Sequence, residues 1–75
     1  MALKACIFAQ TTGDPVTVAR KIRNVAGITE ATPLFGSVPI VAMAKATNLA
    51  TLHRLVMKIK KIRGVADTDT RLAVQ

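Results

Sequence analysis

Few residues in this chain are equipped for bond-making chemistry. Cys6 and His53 are its one thiol and its one imidazole, and neither has a second metal-ligating side chain near it in sequence. A metal site needs ligands in clusters of short, fixed spacing, so a packed core thiol and a surface histidine account for both residues. The four acids, Asp14, Glu30, Asp67 and Asp69, are scattered and offer little from which to build a general acid–base pair. There is no Gly-x-Gly-x-x-Gly run, no phosphate-binding loop of the Walker type and no triad pattern. The expectation is a protein that is not an enzyme, with no catalytic residue, no metal and no cofactor.

What remains is recognition chemistry. Eleven Lys and Arg stand against four Asp and Glu, a formal net charge of +7. Hydroxyls and carboxylates alternate near the C-terminus in Asp67-Thr68-Asp69-Thr70, and a glycine turn, Gly36-Ser37-Val38-Pro39, precedes a strongly apolar run.

The elements that must position these groups are written twice. KIRNVAGITE, starting at Lys21, returns as KIKKIRGVAD starting at Lys58, about half the chain later. In each copy a basic helical stretch meets a glycine, Gly27 or Gly64, and then a β-branched residue, Ile28 or Val65. Glycine past a helix C-terminus takes the left-handed conformation without penalty, and cations in the last turn complement the helix dipole. Two copies imply two β-α-β units.

Strand one is placed at Leu3 to Gln10, ending in the turn-prone Thr11-Thr12-Gly13. Asp14 as a cap and Pro15 at the first helical position start helix one, which runs to about Ala26. Its inner stripe is Val18, Ile22 and Val25, with Ala19 beside them. Strand two follows from Ile28 to near Phe35, and strand three from Val38 to Ala46. Asn48 or Thr47 caps helix two, with Leu49, Leu52, Val56 and Ile59 on the inner face and Leu55 and Ile62 alongside. Arg54, Lys58 and Lys61 make an outer stripe. Strand four begins at Val65. This β-α-β-β-α-β order is the ferredoxin-like α+β pattern: a four-stranded antiparallel sheet with two helices on one face. The apolar strands one and three are expected at the centre, and the polar strands two and four at the edges.

The chain is read as a single domain over residues 1–75. A domain of this size buries only about 60% of its unfolded surface and commonly needs a staple or a partner. One cysteine provides no internal disulfide and fits a reducing compartment. Two helices cover only one sheet face, so Cys6, Phe8, Val41 and Met43 or their alternates would leave an apolar patch in water, and a second subunit is expected to cover it. The longest apolar run, Val38 to Ala44, is far short of the roughly 20 residues of a membrane-spanning helix. MALKACIFAQ lacks a signal-peptide pattern, so a cytoplasmic location without membrane association is expected.

The layout, the phrase LFGSVPIVAMAKA and the closing GVADTDTRLAV together resemble the ligand-binding half of the leucine- and asparagine-responsive (Lrp/AsnC) regulators of bacteria and archaea, the domain named for regulation of amino-acid metabolism (RAM). The resemblance runs from about Ala5 to the C-terminus. It implies homodimers formed through the sheet faces, further assembly into higher oligomers, and a small effector, commonly an amino acid, bound between subunits. The family's effector site uses the turn between the middle strands together with threonines of the last strand. Carried onto this chain, that site is Gly36, Ser37, Val38, Pro39, Thr68, Asp69 and Thr70. Gly36 and the threonines match, whereas Val38 replaces the family's aromatic residue and Pro39 its aspartate. Proline cannot pair with an ammonium group as an aspartate would. Nothing before Leu3 could form the family's helix-turn-helix, so a stand-alone module is expected, able to co-assemble with a full-length regulator and not binding DNA directly.

Eight of the eleven cations fall in the latter halves of the two helices: Arg20, Lys21, Arg23, Arg54, Lys58, Lys60, Lys61 and Arg63. Solvated helix faces are one account of them. The alternative is a basic scaffold whose helix layer contacts an anionic partner, either nucleic acid or an acidic protein. Base stacking of the kind used by RNA-binding domains of this fold is disfavoured, because the only aromatics are Phe8 and Phe35.

Overall fold

Period-two alternation in the apolar strands decides which side of the sheet the helices cover. A computed structural model of the chain describes residues 3–34 and 39–73. The elements are β1 (Leu3–Thr11), α1 (Pro15–Arg23), β2 (Ile28–Pro33), β3 (Ile40–Ala46), α2 (Leu49–Lys60) and β4 (Val65–Ala73). The strands lie in the order β2-β3-β1-β4, and every neighbouring pair is antiparallel. The fold is therefore ferredoxin-like α+β, with the two apolar strands at its centre and the two polar ones at its edges.

On the covered face, Ala5, Ile7 and Ala9 of β1 and Ile40, Ala42, Ala44 and Ala46 of β3 are buried, joined by Ala31 of β2. Most of these sheet residues are alanines, so the helices approach closely and fill the space with their own larger side chains: Val18, Ala19 and Ile22 from α1, and Leu52, Leu55 and Ile59 from α2. Val25, Val56 and Ile62 pack against this cluster at its margin. Leu49 departs from the expected inner stripe and is 63% exposed, because α2 begins a turn before the core and its first buried residue is Leu52.

The helix starts follow the expected chemistry. The Asp14 carboxylate accepts from the Val16 N–H at 3.1 Å and the Thr17 hydroxyl at 2.8 Å. At α2 it is Asn48 that caps, its side-chain oxygen accepting from the Thr51 N–H at 2.8 Å. Helix one ends at Arg23 rather than Ala26. The Asn24 and Val25 N–H groups turn back to Lys21 and Ile22, three residues away, and these tighter 3₁₀-type bonds close the helix early. Beyond the hairpin, Pro39 precedes β3, so its missing N–H costs the ladder nothing, and its carbonyl accepts from the Leu34 N–H at 2.6 Å.

Both repeat glycines have positive φ, 96° at Gly27 and 102° at Gly64. The Gly27 carbonyl accepts from the Lys45 N–H at 2.8 Å, and the Gly64 carbonyl accepts from the Thr12 N–H at 2.9 Å. Each glycine also carries a side chain from the other repeat. A Cβ at Gly27 would sit 2.5 Å from Leu55 Cδ1 and 3.0 Å from the Lys45 carbonyl oxygen; one at Gly64 would sit 2.8 Å from Val18 Cγ2.

Two predictions follow from these ends and starts. Gly27→Ala and Gly64→Ala each destabilise the fold by at least the roughly 1–2 kcal/mol cost of a left-handed L-residue, with Gly27→Ala the worse because a backbone carbonyl cannot move aside; denaturant titration checks both. The Thr17 hydroxyl, and then the Val16 N–H, hold the Asp14 carboxyl below its ordinary value of 3.8. The group is more acidic folded than unfolded, so its contribution is present above pH 3.8 and is lost as pH falls through the lower folded value. The difference in melting temperature between the parent and Asp14→Ala should therefore be present at pH 7 and shrink below pH 3.8. A gap of equal size at both would refute the assignment.

Candidate functional site

Among the described residues no helix lies over the second sheet face. Register places Lys4, Cys6, Phe8 and Gln10 of β1 opposite Lys45, Met43 and Val41 of β3 on one side, and opposite Arg71, Asp69 and Asp67 of β4 on the other. Residues paired directly across an antiparallel ladder share a face. Cys6, Phe8, Val41 and Met43 therefore alternate with the buried alanines and isoleucines and point to the open side, where each is half-buried. They form an apolar strip along the two central strands, flanked by the polar residues of the edges.

At one end of that strip is a concavity of about 360 Å³ lined by Phe8, Gln10, Asp67, Thr68, Asp69 and Arg71. The Arg71 Nη2 lies 3.2 Å from Asp69 Oδ2, and its guanidinium carbon is 6.0 Å from the centre of the Phe8 ring. The Thr68 N–H donates to Asp67 Oδ1 at 2.9 Å. The cavity thus presents carboxylates and a guanidinium on an aromatic floor, a set able to receive both ends of a zwitterion.

The expected effector residues are divided by this geometry. Asp69 lies in the concavity. Thr68 lines it as well, yet Thr68 and Thr70 pair with Ala9 and Ile7 and so belong to the helix-covered face. Thr70 lines a separate apolar hollow with Leu49, Leu52, His53 and Val56, on the far side of the sheet from Asp69. Pro39 is brought to the same end of the sheet as Asp67, since Ala9 pairs with Ile40 on one side and with Thr68 on the other. Gly36, Ser37 and Val38 lie outside the described residues. Sequence reading missed Gln10, Asp67 and Arg71 as lining residues. The available signal was spacing: Asp67, Asp69 and Arg71 are two apart, which in a strand places them on one face.

Cys6 and His53 are on different elements, and among the described residues no three His, Cys, Asp or Glu side chains gather as a metal site. Among the described residues no helix is long and apolar enough to cross a membrane.

Solved structures share this fold across nearly the whole chain. A hypothetical protein from Pyrococcus horikoshii matches with a TM-score of 0.86 at 23% identity, covering 100% of this chain and 92% of its own. AsnC from E. coli matches with a TM-score of 0.84 at 22% identity, covering 97% of this chain and 51% of its own. A Neisseria meningitidis transcriptional regulator solved as a complex with L-Met matches with a TM-score of 0.82 at 16% identity, covering 97% and 50%. The present chain thus spans about half the length of those two regulators. No curated protein matches the sequence significantly.

These neighbours share the fold of the chain. The sequence itself matches the model of the Lrp/AsnC ligand-binding domain over residues 5–75, and the chain belongs to that family.

The Arg71–Asp69 pair is well exposed, at 72% and 60% of the two side chains, and exposed pairs contribute little. Arg71→Gln is accordingly expected to change folding stability by no more than about 1 kcal/mol in denaturant titration, so any loss of ligand response in that variant reports on the site and not on the scaffold.

Proposed function

We propose that this chain is a non-catalytic module, a single domain over residues 1–75, that binds a small effector, an amino acid, and couples its occupancy to assembly in transcriptional or metabolic regulation in the cytoplasm. The observation that carries this reading is the open-face concavity, where Asp67 and Asp69 offer partners for an ammonium and Arg71 a partner for a carboxylate. Gly36, Ser37, Val38 and Pro39 would contribute to binding as the family resemblance implies, and of these Pro39 lies at the same end of the sheet. Thr68 would contribute at its edge, whereas the Thr70 side chain, on the helix side of the same strand, does not reach the concavity. Family membership and the L-Met complex of the Neisseria regulator support the ligand class.

Dimerisation belongs to the same reading. Cys6, Phe8, Val41 and Met43 form an apolar strip that a second copy would cover, and a concavity at the margin of the strip would then lie between subunits. Higher oligomers, or co-assembly with a full-length regulator, would follow from further contacts.

A panel of amino acids scored by thermal shift and light scattering tests both parts. At a thousand times its dissociation constant, an effector adds about 4 kcal/mol to the state that binds it, a shift of many degrees for a domain of this size. The parent is expected to scatter as a dimer or larger and to respond to at least one amino acid, and Arg71→Gln to lose the response. A monomer under all conditions would refute the assembly claim. A panel without any shift in melting temperature or size would refute the effector claim.

A further inference from the structure

Charge is divided between the two sides of this protein. On the open face Lys4, Lys45 and Arg71 are balanced by Glu30, Asp67 and Asp69. The eight cations of the helices and their terminal turns are all exposed, and the only acid on those elements is Asp14 at the α1 cap. The whole net charge of +7 therefore sits on the helix side. Among the described residues none of these eight has a carboxylate within ion-pair distance; the ion pair that does form, Arg71 with Asp69, is on the other face.

The arrangement of the cations matters as much as their number. Since β1 and β3 run in opposite directions, so do the helices that follow them, and their basic C-terminal turns lie at opposite ends of the layer. Those ends are about 18 Å apart along a helix the length of α2, beyond the roughly 8 Å over which exposed charges interact at physiological salt. A single small anion would meet one cluster; an extended polyanion would meet both. From the middle of α2 to its C-terminal cap, Arg54, Lys58 and Lys61 follow at successive turns and cover about 10 Å, the axial length of three nucleotides of a duplex strand. Beside this stripe a cleft of about 280 Å³, lined by Gly27, Lys45, Thr51, Arg54 and Lys58, joins the end of α1 to the middle of α2.

We infer that the helix layer is a docking surface for the phosphate backbone of nucleic acid, lying along the Arg54, Lys58 and Lys61 stripe with a phosphate in the cleft beside Gly27. Among the described residues Val16, Leu49 and Met57 are the large apolar side chains exposed on the helices, and only Met57 lies within the Arg54 to Lys61 stripe, so the stripe lacks the apolar centre that a protein interface has. It also lacks aromatic side chains for stacking bases, so the backbone is held and the sequence is not read. This amends the expectation that the chain does not bind DNA directly. The surface lies opposite the face proposed for assembly and does not compete with it.

The test is binding of a labelled 20-nucleotide RNA strand and a 20-base-pair mixed-sequence DNA duplex to the full chain across 50 to 200 mM salt. Both should bind without sequence preference, and if about six phosphates are engaged, duplex affinity should fall about 1,000-fold over that range. Arg54→Gln/Lys58→Gln/Lys61→Gln should lower the slope of log affinity against log salt by about three. Lys4→Gln, on the open face, should leave duplex affinity and its salt slope within twofold of the parent. Unchanged melting temperatures would establish that the variants are folded. Binding independent of salt, binding indifferent to the triple substitution, or displacement of the duplex by polyglutamate of equal charge at equal concentration would each overturn the inference, the last by assigning the surface to an acidic protein.

Discussion

Each helix of this fold has to stop at a point where the other helix is already resting. Gly27 lies under Leu55 and Gly64 under Val18, so the turn that ends one helix is also the seat of its neighbour. The same two residues present their carbonyls to the N–H groups at the ends of the central strands, Lys45 and Thr12, which ties each helix exit to the strand end that leads into the other helix. A side chain at either position would meet three requirements at once: a positive φ, a contact with no room for a Cβ, and a carbonyl held in place by a strand. The duplication visible in the sequence is therefore a mechanical reciprocity, in which neither half can be seated without the other.

That seating explains the division of labour between the sheet faces. Helices held this close need small residues beneath them, and alanines supply them on β1, β2 and β3. The larger side chains of the same strands, Phe8, Val41 and Met43, are left for the opposite side, where their size can serve contact with something else. The inner face specifies the scaffold, and the outer face and the helix backs are free to carry recognition.

The architecture was legible in the chain because its signals were redundant. Caps, glycine stops, helical stripes and apolar central strands all agreed, and consistency across levels of this kind is what specifies a fold. The site was less legible for a physical reason. In β4 the run Asp67-Thr68-Asp69-Thr70 is polar at every position, and a strand that is polar on both faces gives no hydrophobic cue to which residues point where. The threonines and Asp69 could be assigned to one site in sequence, whereas pairing with Ile7, Phe8 and Ala9 sends them to opposite faces. Helix ends were the other weak point. Asn24 and Val25 continue the helical pattern by composition, but their N–H groups have tighter partners three residues back.

The one-sided placement of charge also acts before any contact is made. With its net positive charge confined to the helix backs and a balanced open face, the molecule is a strong dipole whose axis runs through the sheet. Two copies drifting together with helices foremost repel each other, while copies meeting sheet to sheet present near-neutral surfaces, and the long-range field sorts encounters by orientation. Dissolved salt shortens the reach of that field, so the same ions that weaken the hold of the helix side on an anion also relax the sorting of collisions between copies. The back of the protein thus takes part in deciding how its front is approached.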